Sequence, residues 1–126
     1  MTGLKILVVE DYYAVRQLLR DALQEIGHTV TEVARFEEGE REISRNIYDL
    51  VITDVRLPGG TGEDLAAKAS ALGGQVILIT GYEDVRQLLE RAKIRHLFKP
   101  FRMSELFTLI EECFAPPATR SRKDPV

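Results

Sequence analysis

Three carboxylates, a hydroxyl and an ammonium close four short apolar runs in this chain. Glu10 and Asp11 follow Ile6-Leu7-Val8-Val9, and Asp54 ends Leu50-Val51-Ile52-Thr53-Asp54. Thr80 ends Val76-Ile77-Leu78-Ile79-Thr80, and Lys99, followed by Pro100, closes the run from Ile94 to Phe98. If the runs are parallel strands, all five groups emerge along one edge of one sheet, where open α/β folds place their ligands. The set suits a divalent cation and a phosphoryl group. Magnesium, or manganese, takes hard oxygen ligands, and magnesium keeps several waters beside one or two protein carboxylates. Glu10, Asp11 and Asp54 can supply such oxygens directly or through water. Without a cation, three clustered carboxylates would repel one another and raise a pKa. A cation and Lys99 relieve that repulsion and keep Asp54 ionised, which makes it a competent nucleophile toward phosphorus. Phosphoryl transfer depends mainly on positioning and charge. The cation would meet one phosphoryl oxygen, Lys99 a second and the Thr80 hydroxyl a third.

The elements that must position these groups are legible from the hydrophobic period. Strand-like runs near 5–9, 29–33, 50–54, 76–80 and 94–98 alternate with helical segments. Val15, Leu18, Leu19, Ala22 and Ile26 follow helical spacing after Asp11, and Gly27 stops that helix. Leu65, Ala69 and Leu72 mark another face, ended by Gly73-Gly74; Val85, Leu88, Leu89 and Ala92 mark a third. Met103, Leu106, Ile110 and Cys113 mark the last, stopped by Pro116-Pro117. The least regular helix is 36–46, with Gly39 inside it and only Phe36, Ile43 and Ile47 at useful spacing. Alternating βα units predict a five-stranded parallel sheet, doubly wound as (βα)5, with helices on both faces. Near-continuous apolarity in the first, third and fourth runs fits central strands buried on both sides.

Composition narrows the class. A chain of 126 residues fits one domain with its own core. Net charge is −3 with the basic residues scattered, which excludes nucleic acid as the main partner because phosphate backbones need a concentrated cationic face. The single cysteine, Cys113, cannot form an internal disulfide and reads as a small core residue, which fits a reducing compartment. The N-terminus runs from Met1-Thr2-Gly3 straight into a strand-length apolar run, so no signal peptide is expected. No apolar stretch approaches the roughly 18 residues of a membrane span. A cytoplasmic location and no membrane partner follow as expectations. The domain is expected over 1–114. Residues 115–126 lose all period and are expected to be a disordered tail, or the stub of a linker to a further module.

Taken together, these residues resemble the receiver domain of two-component response regulators. The resemblance covers about residues 4–114 and rests on Val9-Glu10-Asp11, Asp54 with Leu57-Pro58-Gly59 after it, Gly62, Thr80-Gly81 and Lys99-Pro100-Phe101. It implies a flavodoxin-like strand order, 2-1-3-4-5; a member of this family is itself a standard example of that order. It implies phosphoryl transfer from a histidine kinase or histidine phosphotransfer protein onto Asp54, with magnesium held by Glu10, Asp11, Asp54 and the carbonyl of Arg56. It implies a cis peptide at Lys99-Pro100. The phosphorylated domain would be a switch rather than a turnover enzyme: the Thr80 hydroxyl moves toward the phosphate, a ring on the fifth strand turns inward, and a protein partner reads the face formed by the fourth helix, fifth strand and fifth helix. A stand-alone receiver, monomeric or dimerising on phosphorylation, is the expected form.

Three departures from the family pattern carry expectations of their own. The ring position falls on His96, where the family more often has Tyr or Phe; imidazole either fills the same slot or makes the switch pH-sensitive. Thr80 and Lys99 are 19 positions apart, closer than the family pattern, so the fourth helix is expected to be shortened or displaced. Arg56 and Tyr82 stand two residues after Asp54 and Thr80, where the family tunes the access of water to the phosphate, and two large residues there imply slow self-dephosphorylation. Gly59-Gly60-Thr61-Gly62 lacks the Lys-Ser/Thr of a phosphate loop and reads as a flexible loop beside the site. Tyr12 and Tyr13 read either as exposed docking residues or as partly buried ones.

Other classes fit less well. A haloacid-dehalogenase-type phosphohydrolase needs an acid two residues after its nucleophile, where this chain has Arg56, and takes its acidic metal ligands late in the chain. A pseudo-receiver acting as a constitutive interaction module would not need the full phosphorylation set. In a flavodoxin, Glu10-Asp11 would repel the cofactor phosphate.

Overall fold

The computed structural model describes residues 3–115. The tail expected from 115 onward lies, beyond Ala115, outside the described residues. Five parallel strands form the sheet: β1 (Lys5–Val9), β2 (Thr29–Val33), β3 (Leu50–Asp54), β4 (Gln75–Thr80) and β5 (His96–Phe98). Their order is β2-β1-β3-β4-β5, which is the expected 2-1-3-4-5 arrangement of a doubly wound fold. The helices are α1 (Tyr13–Glu25), α2 (Phe36–Arg45), α3 (Gly62–Ala71), α4 (Arg86–Ala92) and α5 (Met103–Cys113).

Alternation along the strands divides the core in two. Ile6 and Val8 of β1, Ile52 of β3, and Ile77 and Ile79 of β4 meet Leu19 and Leu23 of α1 and Leu106 and Ile110 of α5. Leu7, Val9 and Val51 point the other way, against Ile43 of α2 and Leu65 and Ala69 of α3. Leu78 meets Ala66 and Leu89 under α3 and α4. Because both faces of β1 and β3 are covered, their residues are apolar nearly without a break. Cys113 is buried in the first of these layers, as expected.

Helix α2 forms despite its weak pattern. Glu38 accepts hydrogen bonds from the backbone N–H groups of Ala34 and Arg35 at its start, which satisfies two donors that the helix itself leaves unpaired. Gly39 faces the sheet so closely that a Cβ there would sit 3.0 Å from Leu65 and 3.2 Å from Val9. The missing side chain is thus what lets α2 lie tight on β1. Ile47, expected on the buried face, is 85% exposed because the helix ends at Arg45. Leu18, Ile26, Leu72 and Leu88 are likewise exposed. In α1 the buried stripe runs through Leu19 and Leu23, with the partly buried Val15 packed against it, so Leu18 lies off its centre.

The segment after β4 differs most from the expected pattern. A 3₁₀ turn (Glu83–Val85) precedes α4, which is only 7 residues long. Lys93 then turns left-handed at φ 56°, and the Ile94 N–H donates back to the Leu89 carbonyl. The Ile94 N–H is taken by this helix end, and Arg95 meets β4 only through its carbonyl, which accepts from the Leu78 N–H at 2.9 Å, so β5 starts at His96 rather than Ile94. The short spacing between Thr80 and Lys99 is therefore met by a short helix.

Candidate functional site

Asp54, Thr80 and Lys99 reach one place because β1, β3, β4 and β5 end at the same edge. The Lys99 N–H donates to the Thr80 carbonyl at 2.8 Å, which sets the lysine beside the end of β4. The peptide after it, Lys99-Pro100, is cis as the resemblance implied. The Lys99 ammonium lies 2.6 Å from Glu10 Oε1 and 2.9 Å from Asp54 Oδ2. Oxygen atoms of Glu10, Asp11 and Asp54 all lie within 4.8 Å of one another. Glu10 is fully buried and Asp54 nearly so, whereas Asp11 is exposed at the mouth.

The backbone around Asp54 is closely held. Val55 donates to the Ile79 carbonyl at 3.0 Å, and Gly62 donates to the Val55 carbonyl at 2.7 Å. A Cβ on Gly62 would stand 2.0 Å from the Asp54 carbonyl oxygen, so only glycine lets the start of α3 approach the end of β3. The segment expected to be a flexible loop is instead an antiparallel ribbon, Arg56–Leu57 against Gly60–Thr61. Thr61 caps α3 by accepting from the Asp64 N–H at 3.2 Å. The ribbon and cap hold the exit from β3 in register, which the run of small residues disguised.

Electrostatics mark Glu10 as the strained member. Burial pushes its carboxyl pKa up to about 7; the Lys99 ammonium and the Tyr12 N–H pull it down, and the Asp54 charge adds to the rise. Burial also works against the Lys99 charge, but Glu10 and Asp54 outweigh it and hold that pKa above its ordinary value. Lys99 is within ion-pair distance of Glu10 Oε1, yet that oxygen receives no directed hydrogen bond. A buried carboxylate oxygen without a directed donor, among two more carboxylates, is a donor set that a hard divalent cation fits.

Around this centre the remaining expected residues take definite places. The Thr80 hydroxyl is buried and accepts from the Tyr82 N–H at 3.0 Å, so it faces its own loop. The Arg56 N–H donates to Asp54 Oδ1 at 3.3 Å, while its guanidinium lies 3.8 Å over the Tyr82 ring and pairs with Asp84 at 2.5 Å. Asp84 was not singled out from the sequence, where one acid in a polar turn carries no signal. His96 is half-buried, with Nδ1 2.6 Å from the Ile94 carbonyl oxygen and its ring edge-on to Phe98 at 5.3 Å. The Arg86 guanidinium of α4 covers the same Phe98 ring at 3.9 Å. Tyr12 and Tyr13 are exposed, at 65% and 67%.

Residues 6–111 match the response regulator receiver domain. The chain belongs to that family. As a receiver domain of two-component signalling, it has the expected doubly wound fold and the acidic cluster at the expected sheet edge. It is 35% identical over 112 residues to the transcriptional regulatory protein TcrA of Mycobacterium tuberculosis, covering 85% of this chain and 44% of that protein. The chain thus spans less than half of that relative. It is 26% identical over 111 residues to sporulation initiation phosphotransferase F of Bacillus subtilis, covering 84% of this chain and 90% of that one. Among solved structures, the response regulator TrrA from Thermotoga maritima, in complex with Mg(2+)-BeF, superposes with a TM-score of 0.78 at 30% identity, over 90% of this chain and 99% of that one. No helix among the described residues is long and apolar enough to cross a membrane.

Proposed function

We propose that this receiver accepts a phosphoryl group on Asp54 from a histidine kinase or histidine phosphotransfer protein, in a magnesium-dependent reaction, and signals the change to a protein partner in the cytoplasm. The observation that carries the reading is the Lys99 ammonium shared between Glu10 and Asp54, beside a buried Glu10 oxygen without a directed donor. Glu10, Asp11, Asp54 and the Arg56 carbonyl are the residues that would hold magnesium. When bound, the cation supplies charge neutralisation for the three carboxylates and for the transferring phosphoryl oxygens.

The chain's own groups do the rest. Lys99 and the Arg56 N–H each hold one Asp54 oxygen, which fixes the carboxylate plane for attack. An Asp54 oxygen forms the new O–P bond, the P–N bond of the donor phosphohistidine breaks, and the imidazole nitrogen keeps the electron pair. Lys99 then pairs with a phosphoryl oxygen as the carboxylate charge moves outward. Thr80 stands at the neighbouring strand end and leaves Tyr82 to donate to another phosphoryl oxygen. That exchange of hydrogen bonds biases a two-state loop, which is how a local dianion becomes a signal on α4, β5 and α5. The contacts of Phe98 with Arg86 and His96 on that face support a switch role for His96.

Intact mass after incubation with acetyl phosphate tests the reading. One added phosphate is expected with magnesium, none with a chelator, and none in Asp54→Asn. Absence of the adduct in protein shown to bind magnesium would favour a pseudo-receiver.

A further inference from the structure

We propose that Arg16 is a positioning residue of the metal site, setting cation affinity by tying down the loop that carries Glu10 and Asp11. The inference rests on the magnesium reading above.

Three residues, Glu10 to Tyr12, separate β1 from α1. The helix start is poorly secured: Tyr12 at its N-cap makes no side-chain cap, and the first turn holds no acid. Helical side chains lean toward the N-terminus, so Arg16, in the first turn of α1, reaches back over this loop. One guanidinium nitrogen donates to the Glu10 carbonyl at 2.8 Å and lies 3.5 Å from that of Asp11. The side chain is only 15% exposed. On its far side it lies 3.9 Å from Glu32 of β2, and its guanidinium is 5.4 Å from the Tyr13 ring. Glu32 is itself fixed by Gln17 at 2.8 Å and Arg20 at 3.3 Å. Arg16 therefore ties the loop backbone toward the edge strand through its guanidinium, while the Glu10 carboxylate is held separately by the Tyr12 N–H at 3.1 Å and by Lys99.

Charge and position make opposite forecasts, which gives the test its edge. A cation beside a metal site repels the metal, so if Arg16 acted only as charge, Arg16→Met would tighten magnesium binding. If it positions the ligands, the same change weakens binding by about tenfold or more, the usual effect of losing a residue that orients metal ligands. Arg16→Lys keeps the charge and one donor and should fall between. Arg20→Met removes one partner of Glu32 but leaves Gln17 bonded to both of its oxygens and does not touch the loop, so it serves as the control.

The experiment is calorimetric titration of the full chain with magnesium, with metal-free amide exchange of residues 10–12 and urea stability measured alongside. Expected are weaker magnesium binding and faster loop exchange in Arg16→Met, partial rescue in Arg16→Lys, and wild-type values in Arg20→Met. The magnesium concentration for half-maximal phosphorylation by acetyl phosphate should rise in step, with the rate at saturating magnesium near wild type. Should Arg16→Met fail to fold, Glu32→Gln loosens the same clamp and should weaken binding several-fold. Unchanged or tighter magnesium binding, with only global stability reduced, would overturn the inference. A wild-type chain that takes up no magnesium would overturn the metal reading itself, and this inference with it.

Discussion

Glu10 shows how a single side chain can trade stability for chemistry. Its carboxyl pKa stands at about 7 in the folded protein against 4.5 for the free group. The folded state therefore binds a proton that the unfolded state has released, and stability falls as pH rises between those values. The cost above pH 7 is on the order of a few kcal/mol. Metal-free Glu10→Gln should match wild type near pH 4.5 and exceed it at pH 8, read by urea denaturation at each pH. Magnesium should stabilise wild type at pH 8 and do little for the variant. Arg56 and Tyr82 act at the same scale. Their stacked side chains, anchored by Asp84, stand at the positions expected to screen the phosphate from water. Replacing both with alanine should speed phosphate loss about tenfold, an effect worth about 1.4 kcal/mol in the barrier. Phosphate release followed over time checks it, and an unchanged rate would remove the screening role.

At the scale of elements, the stretch from Thr80 to Lys99 is where local rules and tertiary demand disagree. Lys93 adopts a left-handed conformation at the end of α4, a position that favours glycine. Lys93→Gly should raise stability by about 0.5–1 kcal/mol, measurable as a shift in the urea midpoint, and because it relaxes a helix that borders β5 it also tests how stiff that face must be. That α4 would be shortened or displaced was legible from the Thr80–Lys99 spacing set against the family pattern, and it is shortened. The late start of β5 was not, because Ile94 and Arg95 look like strand residues until the Ile94 N–H is seen to close the helix. The three central strands, β1, β3 and β4, were legible because strands buried on both faces are apolar nearly throughout; the edge strand β2, with Thr29, Thr31 and Glu32, was legible from its place in the βα alternation. The exposed Leu18, Leu72 and Leu88 were not separable from their buried neighbours, since period marks a stripe and not its centre. The site residues stood out because they end strands. Arg16, Asp84 and the ribbon before Gly62 did not, because their roles lie in contacts between segments distant in sequence.

Across the whole molecule, the strand C-terminal edge carries the acidic cluster and Lys99, and the opposite edge carries a different titrating group. His28 is buried there, where its Nδ1 accepts from the Leu4 N–H at 3.2 Å. Burial lowers its pKa. Below about pH 6.5 the unfolded chain takes up a proton that the folded one resists, so His28 removes stability as pH falls, opposite in sign to Glu10. Between about pH 4.5 and 6.5 the two therefore oppose each other in the metal-free protein, and His28→Gln should let stability rise as pH falls through that window, read by urea denaturation.

The most direct measurement is reductive trapping with borohydride after exposure to acetyl phosphate and magnesium, followed by peptide mapping. The expected result is conversion of Asp54 alone to homoserine, in a yield that disappears when magnesium is withheld. Reduction at another acid, or equal labelling without magnesium, would contradict the assignment of Asp54 as the phosphoryl acceptor.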